Sequence, residues 1–125
     1  MRGFIIVFVA LGCSAVPAQE VTKIDNARVI ELMRQSDMQL VDIRTPEEVA
    51  EGIIEGAQLI DFFDENFEAK MSKLDKEKPL IIYCKSGGRS GKAAGQLATL
   101  GFKEIYDMSG GFSGWKAEGR PVAKP

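Results

Sequence analysis

Short apolar runs alternate along this chain with longer segments in which apolar residues recur at helical spacing. Apolar runs bounded by turn residues are typical of buried strands, and here they predict strands at residues 21–24, 39–42, 58–60, 80–83 and 104–106. The helical spacing predicts helices between them, with apolar faces at Val29, Ile30, Leu32 and Met33, at Phe67, Met71 and Leu74, and at Ala93, Ala94, Leu97 and Leu100. A short turn or helix is expected around Trp115. Alternating strands and helices predict a three-layer α/β domain with a mainly parallel central sheet.

Polar residues and glycines mark the expected ends of these helices. The predicted N-caps are Asp25 or Asn26, Thr45, Asp64 and Ser90. Thr45 is followed by Pro46 and then by Glu48, a spacing typical of a capping box at a helix start. Gly52 and Gly101 are the expected stops.

The N-terminal segment differs from the rest of the chain. Arg2 precedes an apolar run at residues 4–11 that is too short to span a bilayer, and Ala18 ends a small-residue cleavage site. This pattern is typical of a secretory signal peptide. We therefore expect residues 1–18 to be removed and residues 19–125 to form one periplasmic or secreted domain.

Cys13 offers a second interpretation of the same segment. Residues 10–13 resemble the cleavage box of bacterial lipoproteins, in which the cysteine is lipidated, although Ala10 stands where leucine is usual. The alternative to cleavage after Ala18 is thus a lipoprotein anchored at Cys13. We favour cleavage after Ala18, which leaves Cys84 as the only cysteine of the mature domain.

Composition and charge exclude several classes of function. With 45% hydrophobic and 27% charged residues, the chain is an ordinary globular domain. Once Arg2 is removed, 16 − 1 = 15 basic residues face 18 acidic ones, so we expect no nucleic-acid partner. The chain has no histidine, which excludes a Cys-His catalytic pair, and a single mature cysteine excludes thiolate clusters. We expect no metal and no cofactor.

The candidate chemistry lies in the sequence CKSGGRS, residues 84–90, which connects a predicted strand to a helix. Backbone N–H groups at a helix start have no partner within the helix and stabilise an anion. A thiol at such a position with basic neighbours has a lowered pKa. Lys85 and Arg89 supply the basic neighbours, and they argue against Cys84 being an inert core residue. The sequence therefore predicts a nucleophilic sulfur.

Four segments in this order resemble the rhodanese-like domain family over nearly the whole mature chain. They are VDIRTPEE at 41–48, EGIIEGA at 51–57, CKSGGRS at 84–90, and Gly110-Gly111 with Trp115. The resemblance implies that Cys84 is catalytic and that its loop surrounds the substrate through Lys85, Ser86, Gly87, Gly88 and Arg89. One departure is that Ile53-Ile54-Glu55 stands where the family commonly has His-Ile-Pro.

The resemblance also implies a reaction and its partners. A Cys84 thiolate would take the sulfane sulfur of a small anion such as thiosulfate and hold it as a persulfide. A thiol or cyanide would then remove that sulfur. The implied protein is a thiosulfate sulfurtransferase, and we expect it to be a monomer. The alternative is a persulfide carrier or partner-binding module with little turnover, which hands its sulfur to another protein.

Loop length argues against a related enzyme class. Cysteine phosphatases and arsenate reductases place five residues between cysteine and arginine, whereas four residues separate Cys84 from Arg89 and residue 90 is serine. We interpret Ser90 as a helix cap only. Asp42 is expected to anchor a loop, and Arg44 to pair with Glu47, Glu48 or another nearby acid, while Phe112 and Trp115 are expected to pack in the core or pocket wall.

Overall fold

A computed structural model of the protein describes residues 3, 5, 6, 20–35 and 37–125. The proposed cleavage site after Ala18 and the alternative lipidation site at Cys13 lie outside the described residues, as does most of the segment 1–18. Within the described ranges, no helix combines the length and apolar character needed to cross a membrane.

Five parallel strands form one sheet in the described part of the chain. They are β1 (Glu20–Ile24), β2 (Gln39–Asp42), β3 (Gln58–Leu59), β4 (Leu80–Tyr83) and β5 (Glu104–Met108). Their order across the sheet is β1-β5-β4-β2-β3, and all neighbouring pairs are parallel. The fully buried strand β4 is therefore central, as its apolar sequence predicts.

Helices cover both faces of the sheet. They are α1 (Asn26–Met33), α2 (Pro46–Val49), α3 (Phe67–Met71), α4 (Gly88–Thr99) and α5 (Gly111–Ala117). Leu80 and Ile82 of β4 pack with α3 and α4, whereas Ile81 and Tyr83 pack with α1 and α5. This alternation follows from the two-residue period of a strand. The predicted three-layer α/β fold is confirmed.

Two of the predicted helix starts are confirmed and two are wrong. Asp25 caps α1, and Thr45 caps α2 with the complete capping box. Helix α4 begins at Gly88 because Gly87, in the left-handed region, turns the chain into the helix two residues earlier than predicted. Asp64 does not cap α3. Its carboxylate instead accepts a hydrogen bond from the amide of Asn66, the residue before that helix.

The ends of two strands also differ from the prediction. Strand β3 ends at Leu59, one residue earlier than predicted, because its partner β2 ends at Asp42, which lies opposite Leu59. Strand β5 continues to Met108 because β1 pairs with it as far as Ile24 opposite Met108. The extension places Asp107 inside the sheet, where it is buried.

Candidate active site

Cys84 follows the central strand directly, so its sulfur lies at the carboxyl edge of the sheet. The amide of Gly87 donates to Cys84 Sγ at 3.1 Å, and the amide of Ser90 donates to it at 3.4 Å. The thiol in turn contacts the Ser90 hydroxyl oxygen at 3.6 Å. Only 1% of Cys84 is exposed. The protein therefore solvates this sulfur with its own donors.

Burial and hydrogen bonding act in opposite directions on the Cys84 thiol. Burial alone raises the pKa of the thiol, because it disfavours the charged form. Hydrogen bonds from the Ser90 amide and hydroxyl, and from the amides of Gly87 and Ser86, outweigh burial and hold the pKa below its usual value. The predicted low-pKa thiol therefore has a specific source, which is the set of donors in its own loop.

The turn that supplies these donors depends on Gly87. Its φ is 97°, and a Cβ atom there would lie 2.4 Å from the backbone oxygen of Ser109. Both the conformation and the space therefore require glycine. Gly88 differs, because its φ is not positive and a Cβ atom would meet nothing within 4 Å. Of these two positions, only 87 therefore requires glycine for the turn.

The start of α5 packs against the loop and forms hydrogen bonds with its carbonyl groups. The amide of Phe112 donates to the carbonyl of Cys84, and the amide of Ser113 donates to the carbonyl of Lys85, both at 2.9 Å. Gly111 has a φ of 64°, and a Cβ atom there would lie 2.3 Å from the oxygen of Lys85. The backbone of the Cys84 loop and the backbone at the start of α5 are thus in direct contact. Gly111 makes this contact possible, although it has no side chain that could take part in a reaction.

Arg89 is held by an acid that the sequence analysis assigned elsewhere. Its two terminal nitrogens donate to the two carboxylate oxygens of Glu48 at 2.7 and 2.8 Å. This ion pair lowers the pKa of Glu48 to about 2 and raises the pKa of Arg89. The exposed ring of Phe63 lies 5.6 Å from the Arg89 guanidinium carbon. In this structure Arg89 is therefore a paired cation at the rim of the loop.

Arg44 and Asp42 form a buried ion pair behind the loop. Arg44 Nη2 lies 2.7 Å from Asp42 Oδ2, and the Asp42 carboxylate also accepts from the Arg44 backbone amide. The partner of Arg44 is thus Asp42 and neither Glu47 nor Glu48. The Arg44 guanidinium lies 3.9 Å from the ring centre of Phe112, so the pair contacts the start of α5. Trp115 and Phe112 are buried, as expected.

The remaining loop residues face solvent. Lys85 and Ser86 are exposed, and Lys85 forms no ion pair within residues 20–35 and 37–125. Lys85 lines one small cavity together with Arg44 and Glu48. Among the same described residues, no group of His, Cys, Asp and Glu could hold a metal ion.

Ser90 is the functional residue that the sequence analysis missed. It lies in the first turn of α4, is fully buried, and places its hydroxyl against the sulfur. Serine after a glycine-rich turn resembles an ordinary helix cap, which is why the pattern was misleading. The sequence analysis also missed Glu48 as the partner of Arg89. The capping box already explained Glu48 locally, so its sequence position gave no signal of a second contact.

The domain has a parallel sheet, and amide donors surround a buried cysteine at the carboxyl edge of that sheet. These two features define a class of thiol proteins that stabilise an anion on sulfur. Comparison with known families shows to which family of this class the chain belongs. Residues 25–118 match the rhodanese-like domain, and the chain belongs to that family.

Named relatives and solved structures agree with this assignment. The chain is 36% identical over 89 residues to a sulfurtransferase of Allochromatium vinosum, covering 71% of this chain and 81% of the relative. It is 34% identical over 91 residues to the thiosulfate sulfurtransferase GlpE of Pseudoalteromonas translucida, covering 73% and 85%. A rhodanese-related protein of Thermoplasma volcanium superposes with a TM-score of 0.73 at 29% identity, covering 83% of this chain and 99% of that structure.

The two loop glycines offer a matched pair of substitutions. Gly87→Ala is expected to lower the free energy of unfolding by at least about 1–2 kcal/mol, because alanine resists the left-handed region and its methyl group meets the Ser109 carbonyl. Gly88→Ala is expected to change it by less than about 0.5 kcal/mol. Urea denaturation of both variants measures the difference. Equal stability of the two would contradict the role assigned to Gly87.

Proposed function

We propose that this protein is a sulfurtransferase that carries a sulfane sulfur on Cys84, taking it from a small anionic donor such as thiosulfate. The observation that carries the proposal is the set of loop donors on Cys84 Sγ, which favours an anionic sulfur at a buried position. Membership of the rhodanese-like family and relatives named as sulfurtransferases support the same reaction class.

The first half-reaction is a displacement at sulfur. The Cys84 thiolate attacks the outer sulfur of thiosulfate, a new S–S bond forms, and the old S–S bond breaks with its electron pair leaving on sulfite. The products are sulfite and a Cys84 persulfide anion, so charge and electrons balance. The loop donors that stabilise the thiolate also stabilise the persulfide, because both carry one negative charge on sulfur.

The second half-reaction returns the enzyme to its starting state. A cyanide ion or an acceptor thiolate attacks the outer sulfur of the persulfide, and the Cys84 thiolate leaves. The low pKa of Cys84 makes it a good leaving group, because a more stable thiolate departs more readily. The two half-reactions share the one sulfur site, so donor and acceptor use it in turn.

Two cations are proposed to bind the donor anion, and they differ in availability. Lys85 follows Cys84 in the chain, is exposed and forms no ion pair in the described residues, so its charge is available to an incoming oxyanion. Arg89 is engaged by both carboxylate oxygens of Glu48, so it must exchange that partner before it can contact a donor. Lys85 is therefore the principal donor-binding cation, and Arg89 contributes long-range charge. Ser86, Gly87 and Gly88 contribute loop backbone.

Thiosulfate loading followed by mass spectrometry tests the proposal. The wild-type protein is expected to gain one sulfur atom on the peptide that contains Cys84, and cyanide is expected to remove it as thiocyanate. Cys84→Ala should gain nothing on that peptide. Absence of the adduct on wild-type Cys84 would contradict the proposal, whereas an adduct that persists with cyanide and thiols would favour the carrier function over an enzyme.

The same experiment tests donor binding when it is repeated at several thiosulfate concentrations. Lys85→Ala is expected to require a higher thiosulfate concentration for half-maximal loading rate, because the loop loses one available positive charge. Lys92→Ala is the matched control, since Lys92 is exposed on α4 and outside the loop. Equal effects of the two substitutions would remove Lys85 from the donor site.

We further propose that the protein is exported and cleaved after Ala18. Strand β1 begins at Glu20, so this cleavage would leave the described fold complete. The mass of the mature N-terminus tests the proposal: an unmodified start at Gln19 is expected. A diacylated Cys13 would instead identify a lipoprotein, and a retained residue 1–18 segment would contradict export.

A further inference from the structure

Glu48 connects the start of α2 to the rim of the Cys84 loop. Its two carboxylate oxygens accept from the two terminal nitrogens of Arg89, and Oε1 also accepts from the amide and the hydroxyl of Thr45 at 3.2 and 3.0 Å. Donors on two sides therefore fix the carboxylate, and charge-assisted hydrogen bonds in parallel fix Arg89 against it. The helix cap of α2 and the position of a loop cation depend on the same side chain.

The ion pair between Glu48 and Arg89 is partly shielded from water. Only 20% of the Arg89 side chain and 25% of the Glu48 side chain are exposed. Hydrogen bonding to Arg89 lowers the pKa of Glu48 to about 2, so this carboxylate is ionised at neutral pH and keeps its hold on the arginine. Both terminal nitrogens of Arg89 are thus engaged before any donor arrives.

The charges around the loop leave an excess of one positive charge. One small cavity beside the loop is lined by Arg44, which the buried Asp42 neutralises, and by two further cations and two acids: Lys85, Lys116, Glu48 and Glu51. With Arg89, the partner of Glu48, the unneutralised groups carry three positive and two negative charges. One excess positive charge matches a singly charged anion, whereas a doubly charged anion needs a second cation.

We propose that Glu48 is a specificity-determining residue, which holds Arg89 back from the donor and so favours singly charged sulfur donors over doubly charged ones. Thiosulfonates and persulfides of small thiols are singly charged, whereas thiosulfate is doubly charged. With methanethiosulfonate, the Cys84 thiolate attacks the outer sulfur, a new S–S bond forms, and the old one breaks with its electron pair leaving on methanesulfinate. The product is again the Cys84 persulfide, so the inference rests on the proposed function and adds the charge of the donor.

Glu48→Gln separates the charge of this residue from its role as a cap. The glutamine oxygen can still accept from the Thr45 amide and hydroxyl, so α2 keeps its capping box. The glutamine NH₂ group would face the Arg89 nitrogen that donates to Oε2 in the wild type, and two donors do not bond to each other. The substitution is therefore expected to release Arg89 without loss of the helix start.

Persulfide formation on Cys84, followed by mass spectrometry with thiosulfate and with methanethiosulfonate, tests the proposal. The measured quantity is the ratio of the two second-order loading rate constants, thiosulfate over methanethiosulfonate. Glu48→Gln is expected to raise this ratio by about three- to tenfold, because a released cation attracts a doubly charged donor more strongly than a singly charged one. Adding Arg89→Ala to Glu48→Gln restores the excess of one positive charge, and the ratio should return close to the wild-type value.

Glu51→Gln is the matched control. It removes one negative charge from the lining of the same cavity but leaves the pair between Glu48 and Arg89 intact. Its effect on the ratio should be clearly smaller than that of Glu48→Gln. An equal effect of the two substitutions, or an unchanged ratio in Glu48→Gln, would overturn the proposal.

Modification of Arg89 by phenylglyoxal gives a second measurement that needs no sulfur donor. Arg89 should react several-fold faster in Glu48→Gln than in the wild type, while the exposed Arg28 on α1 reacts equally in both and serves as the reference. Equal rates at Arg89 would show that Glu48 does not hold it and would overturn the proposal. Absence of loading by both donors would contradict the proposed function as well, whereas normal loading with an unchanged ratio contradicts this inference alone.

Discussion

The hydrogen bonds from the Gly87 and Ser90 amides to Cys84 Sγ are the interaction on which the rest of the structure depends. A sulfur that is almost fully buried cannot be an anion unless protein dipoles replace the lost water. The left-handed turn at Gly87 leads directly into the first turn of α4, whose N–H groups have no partner within the helix, so the Gly87 and Ser90 amides can both point at the sulfur. The chemistry of the site therefore begins with a backbone conformation.

The layers behind the loop keep that conformation in place. The start of α5 binds the carbonyls of Cys84 and Lys85, and the absence of a side chain at Gly111 allows this close approach. The buried Arg44–Asp42 pair contacts Phe112 and so ties the end of β2 to the same helix. A parallel sheet brings the carboxyl ends of its strands to one edge. Residues that are distant in sequence therefore lie close together around the Cys84 loop.

Sequence patterns predicted the parts of this arrangement that are local. The apolar run of β4, the capping box at Thr45 and the glycine-rich turn after Cys84 each follow from neighbouring residues. Contacts across the fold could not be predicted in this way. Glu48 satisfies its capping role and also binds Arg89, 41 residues away in the chain. The burial of Asp107 depends on the packing of α4 over β5, which no local spacing encodes.

The ionisation of Cys84 in the folded protein tests the central claim most directly. In full-length protein carrying Cys13→Ser, the ultraviolet absorbance of the thiolate can be followed against pH, once in the folded state and once in urea. The account predicts a lower pKa for Cys84 in the folded protein, because the loop donors outweigh burial. A folded-state pKa equal to or above that of the unfolded chain would contradict it.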